Sequence, residues 1–447
     1  MPSVKIETTS EPLFSRRALL RLLWPLVIEQ LLTVLVGVID VFMVAYVGET
    51  AVSGTALVDS VIYLFIQVIF AVTAGGTVVC AQFIGARDLS SASKSGAQLA
   101  LVSVVAMIAV AIVFLLAGSQ ILGLLFGGVS DEVMENALTY LGFTVSSLPF
   151  MALFYSAASV FRANGETRIS MLSALLMNVI NVGGNALCIF ALHLGVFGVA
   201  VSTFAARALA AACILMVLQR KDNPLRISGI AQFKPDKAVI QKILSIGVPN
   251  GVESGLFNLG KILLQSLVAT LGTASIAAYA VASSLVTFLY LPGNALGAAM
   301  LTIVGQCYGA KEMGQARGSV HKWLGLNYAM LAVICAILIG GAQIWVGLYG
   351  LSAEASTATV ELVVAHSIAM VIWPLAFLFP YYFRAIGRAA FPMIVSIATM
   401  AILRVGLAYL FVAVLGYGLI WVWYAMFIDW AARVIVFVVA FRRGYGE

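Results

Sequence analysis

Residues 24–57 read WPLVIEQLLTVLVGVIDVFMVAYVGETAVSGTAL, and residues 247–281 read GVPNGVESGLFNLGKILLQSLVATLGTASIAAYAV. Set one above the other at an offset of 224, they lay Pro25 on Pro249, Glu29 on Glu253 and Gly48 on Gly272. The same offset carries Ser60 onto Ser284, Gln82 onto Gln306, Gly85-Ala86 onto Gly309-Ala310 and Arg87 onto Lys311, a register of more than 60 residues without a gap. Further along, Phe161-Arg162-Ala163 with Gly165 matches Phe383-Arg384-Ala385 with Gly387 at an offset of 222, and Ala206-Arg207 matches Ala432-Arg433 at 226. A fixed long-range period is the mark of a duplicated structural unit. Both quoted stretches are apolar over more than the about 20 residues that a helix needs to cross a hydrocarbon core of about 30 Å, so the duplicated unit is a membrane bundle.

Composition says the same of the whole chain. Of 447 residues, 62% are hydrophobic and only 10% charged, against about a quarter charged in soluble domains. The mean hydropathy of +1.06 excludes an ordinary soluble globular protein and predicts an all-α polytopic membrane protein. The net charge of +6 is therefore a question of membrane sidedness before it is one of nucleic acid, and no nucleic-acid partner is expected. Cys80, Cys188, Cys213, Cys307 and Cys335 are odd in number, lack a Cys-x-x-Cys pair and read as small buried hydrophobes. The histidines His193, His321 and His366 are scattered, with no carboxylate or thiol cluster beside them, and no catalytic metal is expected. No phosphate-binding Walker loop is present, so an enzyme is not the expected reading, no cofactor is implied, and any active transport must draw on an ion gradient.

Apolar runs between charged or Gly/Pro-marked breaks give twelve candidate spans, near 18–45, 51–82, 95–117, 133–158, 168–192, 196–219, 243–270, 275–307, 318–341, 357–383, 391–414 and 417–440. Lysine and arginine sort by loop parity. One set of loops holds Arg87 and Lys94, Arg162 and Arg168, the cluster Arg220, Lys221, Arg226, Lys234, Lys237 and Lys242, then Lys311, Arg317 and Lys322, and Arg384 with Arg388; the N-terminal segment adds Lys5, Arg16, Arg17 and Arg21 and the tail Arg442 and Arg443. The opposite loops, around Gly48–Thr50, Gly118–Glu132, His193, Gly272, Gly350–Ser356 and Gly416, contain neither residue type. This positive-inside pattern predicts a multi-pass protein of the plasma (inner) membrane with both termini cytoplasmic. No small-residue cleavage site follows a short apolar core, so the first span is expected to be an uncleaved helix. The expected organisation is a cytoplasmic segment 1–17, an N-terminal six-helix lobe 18–219, a cytoplasmic linker 220–242 and a C-terminal six-helix lobe 243–441. Six is even, so the lobes are like-oriented, related by a pseudo-twofold along the membrane normal. A duplicated chain of this kind is expected to work as a monomer, whereas a passive channel would more naturally be an oligomer.

Ionisable and amide residues inside spans are functional candidates, because a charge in hydrocarbon costs several kcal/mol. On the first helix Glu29, Thr33 and Asp40 fall on one stripe at 100° per residue, and on the fifth Asn178, Asn181 and Asn185 share a face. A carboxylate with amide oxygens suits a hard monovalent cation, and a buried carboxylate equally suits a proton. On the seventh helix Asn250, Glu253, Asn258, Lys261 and Gln265 form a second stripe, and Asp59 is a further acid within a span. The repeat sets Gly37 against Lys261 and Asp40 against Leu264, so the halves differ chemically. Arg404 and Asp429 suggest a buried pair, Asp429 and Arg433 at i, i+4 offer another, and Arg207 and Arg433 are expected to snorkel to the cytoplasmic interface. Glu253, Lys261, Arg404 and Asp429 together make a second-lobe candidate site. Thr33, Glu29, Asp59, Asn178, Asn250, Asn258 and Gln265 are candidate lining for a substrate cavity. Among the prolines inside spans, Pro25 and Pro249 stand at equivalent places four residues before the two glutamates and are candidate hinges. The aromatics Trp373, Phe377, Tyr381, Trp421, Trp423 and Tyr424 could wall a cation path or belong to core and lipid belt.

The first quoted run followed by AQFIGARD, the later FRANGETRISM and NVINVGGNAL, and the second-half GQCYGAKE together resemble the MATE (multidrug and toxic compound extrusion) transporters, across about 18–440. The resemblance implies a V-shaped pair of six-helix lobes and export of cationic amphipathic small molecules in exchange for H⁺ or Na⁺. Carried over residue by residue, Asp40 matches the family's first-helix aspartate, Asn181 the fifth-helix asparagine of the cation site and Thr203 the sixth-helix hydroxyl. Asn185 stands where part of the family has a second acid. Glu253 matches the seventh-helix acid of the NorM-like branch, whose tenth-helix acid has no counterpart here, Glu361 lying near the outer end. The cation-coupling set is thus Asp40, Asn181, Asn185 and Thr203. A lipid-linked saccharide flippase of the same superfamily is the alternative; it would carry more cavity cations and often fourteen helices.

Overall fold

The computed structural model describes residues 16–227 and 230–446; the segment before Arg16, with Lys5, lies outside them. Long helices account for nearly everything described: α1 (Arg16–Val47), α2 (Glu49–Gly85), α3 (Leu89–Phe126), α4 (Asp131–Ala163), α5 (Thr167–Ala186, ending in the π turn Leu187–Ala191) and α6 (Gly195–Leu218). After a connection with one 3₁₀ turn, Ile230–Phe233, come α7 (Lys237–Ala269), α8 (Thr273–Gly309), α9 (Met313–Gly340), α10 in two pieces (Ala353–Ala369 and Trp373–Ala385), α11 (Ala390–Val414) and α12 (Ile420–Arg442). Ten of these are long and apolar enough to cross a bilayer, and the two pieces of α10, bent by 55°, make an eleventh. The bend falls just before Pro374, at the start of the second piece, where proline's missing N–H and fixed φ favour a new helix start. Helix α7, 33 residues long against 32 in α1, is the twelfth; its stripe of charges and amides dilutes its apolarity.

The duplication is visible in the backbone. Gly48 and Gly272 both take positive φ in the tight turns before α2 and α8, and Arg87 and Lys311 both sit at φ 61° in the turns after them. Pro25 and Pro249 lie within α1 and α7, which stay helical through them.

Where the core sits decides the shape of the molecule. One buried cluster joins both halves, with Leu22, Leu26 and Val78 packed among Ile243, Ala299 and Phe383. All lie toward the ends of the helices that carry the basic loops. The opposite, distal halves keep separate cores, one around Val58, Leu141 and Val199 and one around Leu285, Val363 and Trp423. Two lobes are therefore fused at the basic end and parted at the distal end. Contact at the fused end is backbone-close: a Cβ on Gly85 would collide with the Gln306 carbonyl, and one on Gly309 with that of Gln82. The connection between lobes is not a free loop. Gln98 of α3 donates to the carbonyls of Gln232 and Lys234 at 2.6 and 2.9 Å and accepts from the Asp236 N–H at 2.9 Å. Asp236 in turn caps α7 by accepting from the N–H groups of Ala238 and Val239. The Lys94 ammonium, 2.5 Å away, holds the Asp236 carboxyl below the usual carboxylate range.

Candidate functional site

Three helices of the first lobe bring one carboxylate and three polar side chains together. Seven residues before the distal end of α1, Asp40 faces α5, where Asn185 donates from Nδ2 to its Oδ1 at 3.1 Å. Asn181, one turn earlier on the same face of α5, fits with its amide nitrogen toward the carboxylate, 3.0 and 3.1 Å from the two oxygens, and its oxygen accepting from Thr203 Oγ1 of α6 at 3.3 Å. Ser202 then fixes the α5–α6 packing by donating to the Asn181 backbone carbonyl at 2.9 Å. Asn181, Asn185 and Thr203 are buried, while Asp40 keeps partial exposure. Buried amides that donate to a carboxylate stabilise its charge. Asn185 Oδ1 is buried without a partner, so that amide loses no bond to its oxygen if it turns over, whereas the Asn181 oxygen is held by Thr203.

The remaining candidates of this lobe divide. Asp59 of α2 lies within the field of Arg207 and beside the Tyr140 hydroxyl. Asn178 is half-buried, and the Thr33 hydroxyl is spent on the Glu29 carbonyl at 2.9 Å, although Thr33 also lines a shallow apolar groove with Gly37, Val41 and Phe42. Glu29 does not line a cavity: it is 8% exposed, with Arg162 at 3.8 Å and Ser170 donating to it at 3.2 Å. Arg207 does not snorkel; halfway along α6, it donates to Ser147 of α4 at 2.8 Å, because interior partners are nearer than the interface.

The four candidates of the second lobe are divided between two ion pairs and one aromatic ring. Glu253 is taken by Arg384 at 2.7 Å. Asp429 pairs with Arg433 at 2.7 Å, both side chains almost fully enclosed, and Arg433 also donates to the Ser396 carbonyl at 3.1 Å. Of the two pairings open to Asp429 the i, i+4 one is formed, and Arg433 is a buried ion-pair partner rather than a snorkelling one. Arg404 and Lys261 instead stand over the ring of Phe257, at 5.2 and 5.3 Å from its centre, with Arg433 at 5.7 Å. Asn250 and Asn258 are half-buried and Gln265 exposed on α7. Trp373 and Trp423 are buried and belong to the core of this lobe.

Several contacts were not anticipated. Glu29–Arg162 and Glu253–Arg384 are the same ion pair made twice. Beside them Gln82 donates to the Ala385 carbonyl at 2.8 Å and Gln306 to the Ala163 carbonyl at 2.6 Å, so each Phe-Arg-Ala motif holds its own lobe through arginine and the other lobe through alanine. The signal was in the sequence: all the residues involved recur at the repeat offsets, and partners duplicated together are candidates for contact.

Two like-oriented six-helix lobes, fused at one end and with separate cores at the other, define a membrane transporter. The MatE family profile matches residues 25–187 and again 249–410, once in each lobe, and the chain belongs to this family of multidrug and toxic compound extrusion transporters. Among its relatives, an uncharacterised transporter of Bacillus subtilis (strain 168), YisQ, is 26% identical over 433 residues, 94% of this chain and 93% of that one. The multidrug export protein MepA of Staphylococcus haemolyticus is 25% identical over 388 residues, covering 86% and 84%. In three dimensions the chain is similar to a MATE solved in a bent conformation, with a TM-score of 0.89 at 21% identity over 96% of this chain and 95% of that chain. An outward-facing multidrug resistance MATE transporter gives 0.88 at 20% over the same shares. These likenesses speak to the fold.

Proposed function

We propose that the protein is a secondary antiporter of the plasma membrane that exports cationic amphipathic compounds in exchange for H⁺ or Na⁺, taken up at Asp40. The observation that carries this is the convergence of Asp40, Asn181, Asn185 and Thr203 from three helices. A carboxylate in this position gains from any cation that neutralises it, and the Asn185 amide, its oxygen unpartnered, serves either coupling ion: as a donor to the carboxylate when it is empty, and as an oxygen ligand or acceptor when a cation arrives. Asp59 adds negative potential on the same lobe and favours the cationic end of a substrate. The acid and amides around Asp40 also weigh against a flippase, whose cavity would carry more cations.

With the basic loops in the cytoplasm, the parted distal ends face outward and the fused end seals the cytoplasmic side. Alternating access requires the fused end to open, which breaks the two Gln-to-carbonyl bonds and parts Gly85 and Gly309 from the opposite helices. Pro25 and Pro249, whose missing N–H groups free one carbonyl each in α1 and α7, are the proposed hinges. Coupling follows if cation and substrate prefer opposite states. The protein works as a monomer, each chain holding both lobes. The test is extrusion of a fluorescent cation from proteoliposomes under an imposed pH gradient or Na⁺ gradient: one gradient drives transport and names the ion, whereas equal leak under neither or both contradicts antiport.

A further inference from the structure

The second lobe holds a buried cation that the antiport cycle leaves unused. Arg404 is 7% exposed, yet it has no ion-pair or hydrogen-bond partner among the described residues, and its Nε is buried and unsatisfied. The nearby acid, Asp429, is committed to Arg433. Arg404 sits in the stretch Met400–Gly406, where α11 widens to π geometry, a departure that often marks functional positions. Its neighbours Met400, Ala401 and Val405 line an apolar groove of about 180 Å³ between α7 and α11, together with Glu253, which is committed to Arg384, and Phe257, whose ring carries the Arg404 guanidinium. Lys261, exposed on α7 one turn beyond Phe257, has no acid partner either, and the charge that bears on it is Arg404. Around one aromatic ring stand three cations, Lys261, Arg404 and Arg433, while the two acids nearby, Asp429 and Glu253, are committed to Arg433 and Arg384.

We propose that Arg404 and Lys261 form a receiving site for an acidic group, carboxylate or phosphate, on an amphipathic molecule whose apolar body lies in the groove along Phe257 and Met400. A guanidinium offers a planar fork to such an oxyanion, and Lys261 supplies a second charge from the exposed side. The preferred ligand is then an amphipathic molecule with a free acid, held by Arg404 and Lys261 through that acid. This rests on the antiport reading for direction and drive, but the binding site stands without it.

The test uses two rhodamine dyes that differ only in a free carboxylate against its methyl ester, titrated into purified protein by fluorescence polarisation. The free acid is expected to bind roughly tenfold tighter than the ester. Arg404→Gln and Lys261→Gln should each reduce that preference while leaving ester affinity unchanged. Lys261 is exposed, so its variant carries the test if Arg404→Gln fails to fold, as a melting curve would reveal. Asp40→Asn separates the two readings: it should abolish gradient-driven transport and keep the acid preference. A wild type that binds the ester as tightly as the acid, or a preference that survives in the folded variants, overturns the proposal. Repeating the titration in nanodiscs with and without phosphatidylglycerol distinguishes the natural source: competition by that lipid points to a headgroup, and its absence to a free solute.

Discussion

On α1 of the first lobe Asp40 meets the amide of Asn185 at 3.1 Å; on α7 of the second, the repeat puts Leu264 in its place, and that leucine is buried in an apolar core. The offset of 222 sets Leu403 and Leu407 where the first lobe has Asn181 and Asn185, and the offset of 226 sets Asp429 where it has Thr203. The second lobe thus keeps an acid, but moves it from α1's counterpart to α12 and neutralises it with Arg433. At the basic end the lobes are alike: Glu29 with Arg162 mirrors Glu253 with Arg384, and Gln82 mirrors Gln306. What the two halves share is the hardware that closes one end of the molecule. Where they diverge is away from that end, in the Asp40 cluster of one lobe and the Asp429–Arg433 pair of the other. Duplication supplied a symmetric closure, and divergence of the copies left the Asp40 cluster without a counterpart in the second lobe.

That contrast can be broken in graded steps. Asp429→Ala should cost the most, about 3–5 kcal/mol in thermal unfolding, because it strands Arg433 in the core, whereas Thr203→Ala at the equivalent first-lobe position should cost about 1 kcal/mol. Equal losses would mean that the acid is not structural. Next, Gln82→Ala and Gln306→Ala should each cost about 1–3 kcal/mol by leaving a buried carbonyl unpaired, and by similar amounts, since the gate is symmetric. Spin-label distances across the basic end should lengthen in both variants; a response in only one of them contradicts a shared gate. Smaller still is the difference between Glu253→Gln and Glu29→Gln. With Arg384 at 2.7 Å and Arg162 at 3.8 Å, the second-lobe change should lower the melting temperature further, and the reverse order would refute the reading of these distances.

The smallest effect belongs to the connection between lobes. The Asp236 carboxyl is held below its ordinary value by Lys94, so it contributes stability above the usual carboxylate pKa of about 4 that is lost as pH falls through its lowered value. Hydrogen exchange in the connection should rise on acidification below about pH 4, and Asp236→Asn should flatten that response. A wild-type profile indifferent to acid would show that the pair does not pin the connection to α3.

Much of this could be read from the chain before any coordinates, for reasons that differ by residue. Membrane helices announce themselves because backbone groups in lipid leave no alternative to long apolar runs; hence the spans near 51–82 and 275–307 lie inside α2 and α8. Face-sharing on α5 was legible because Asn181 and Asn185 are four residues apart on a regular helix. The break in α10 was not, since apolarity continues through residues 370–372 and only Pro374 hinted at it. For Arg433 the chain offers both an i, i+4 pair with Asp429 and a path to the interface, and only the burial of both side chains decides for the pair. Glu29 was misread as cavity lining because periodicity gives a face and not the partner on it, which is Arg162, more than 130 residues away in sequence.

The most direct test of the account is gradient-driven export by Asp40→Asn in proteoliposomes, beside wild type. The account predicts a folded Asp40→Asn protein that still binds cationic dye but whose extrusion no longer responds to either the pH or the Na⁺ gradient. Undiminished gradient-driven export by that variant would contradict it.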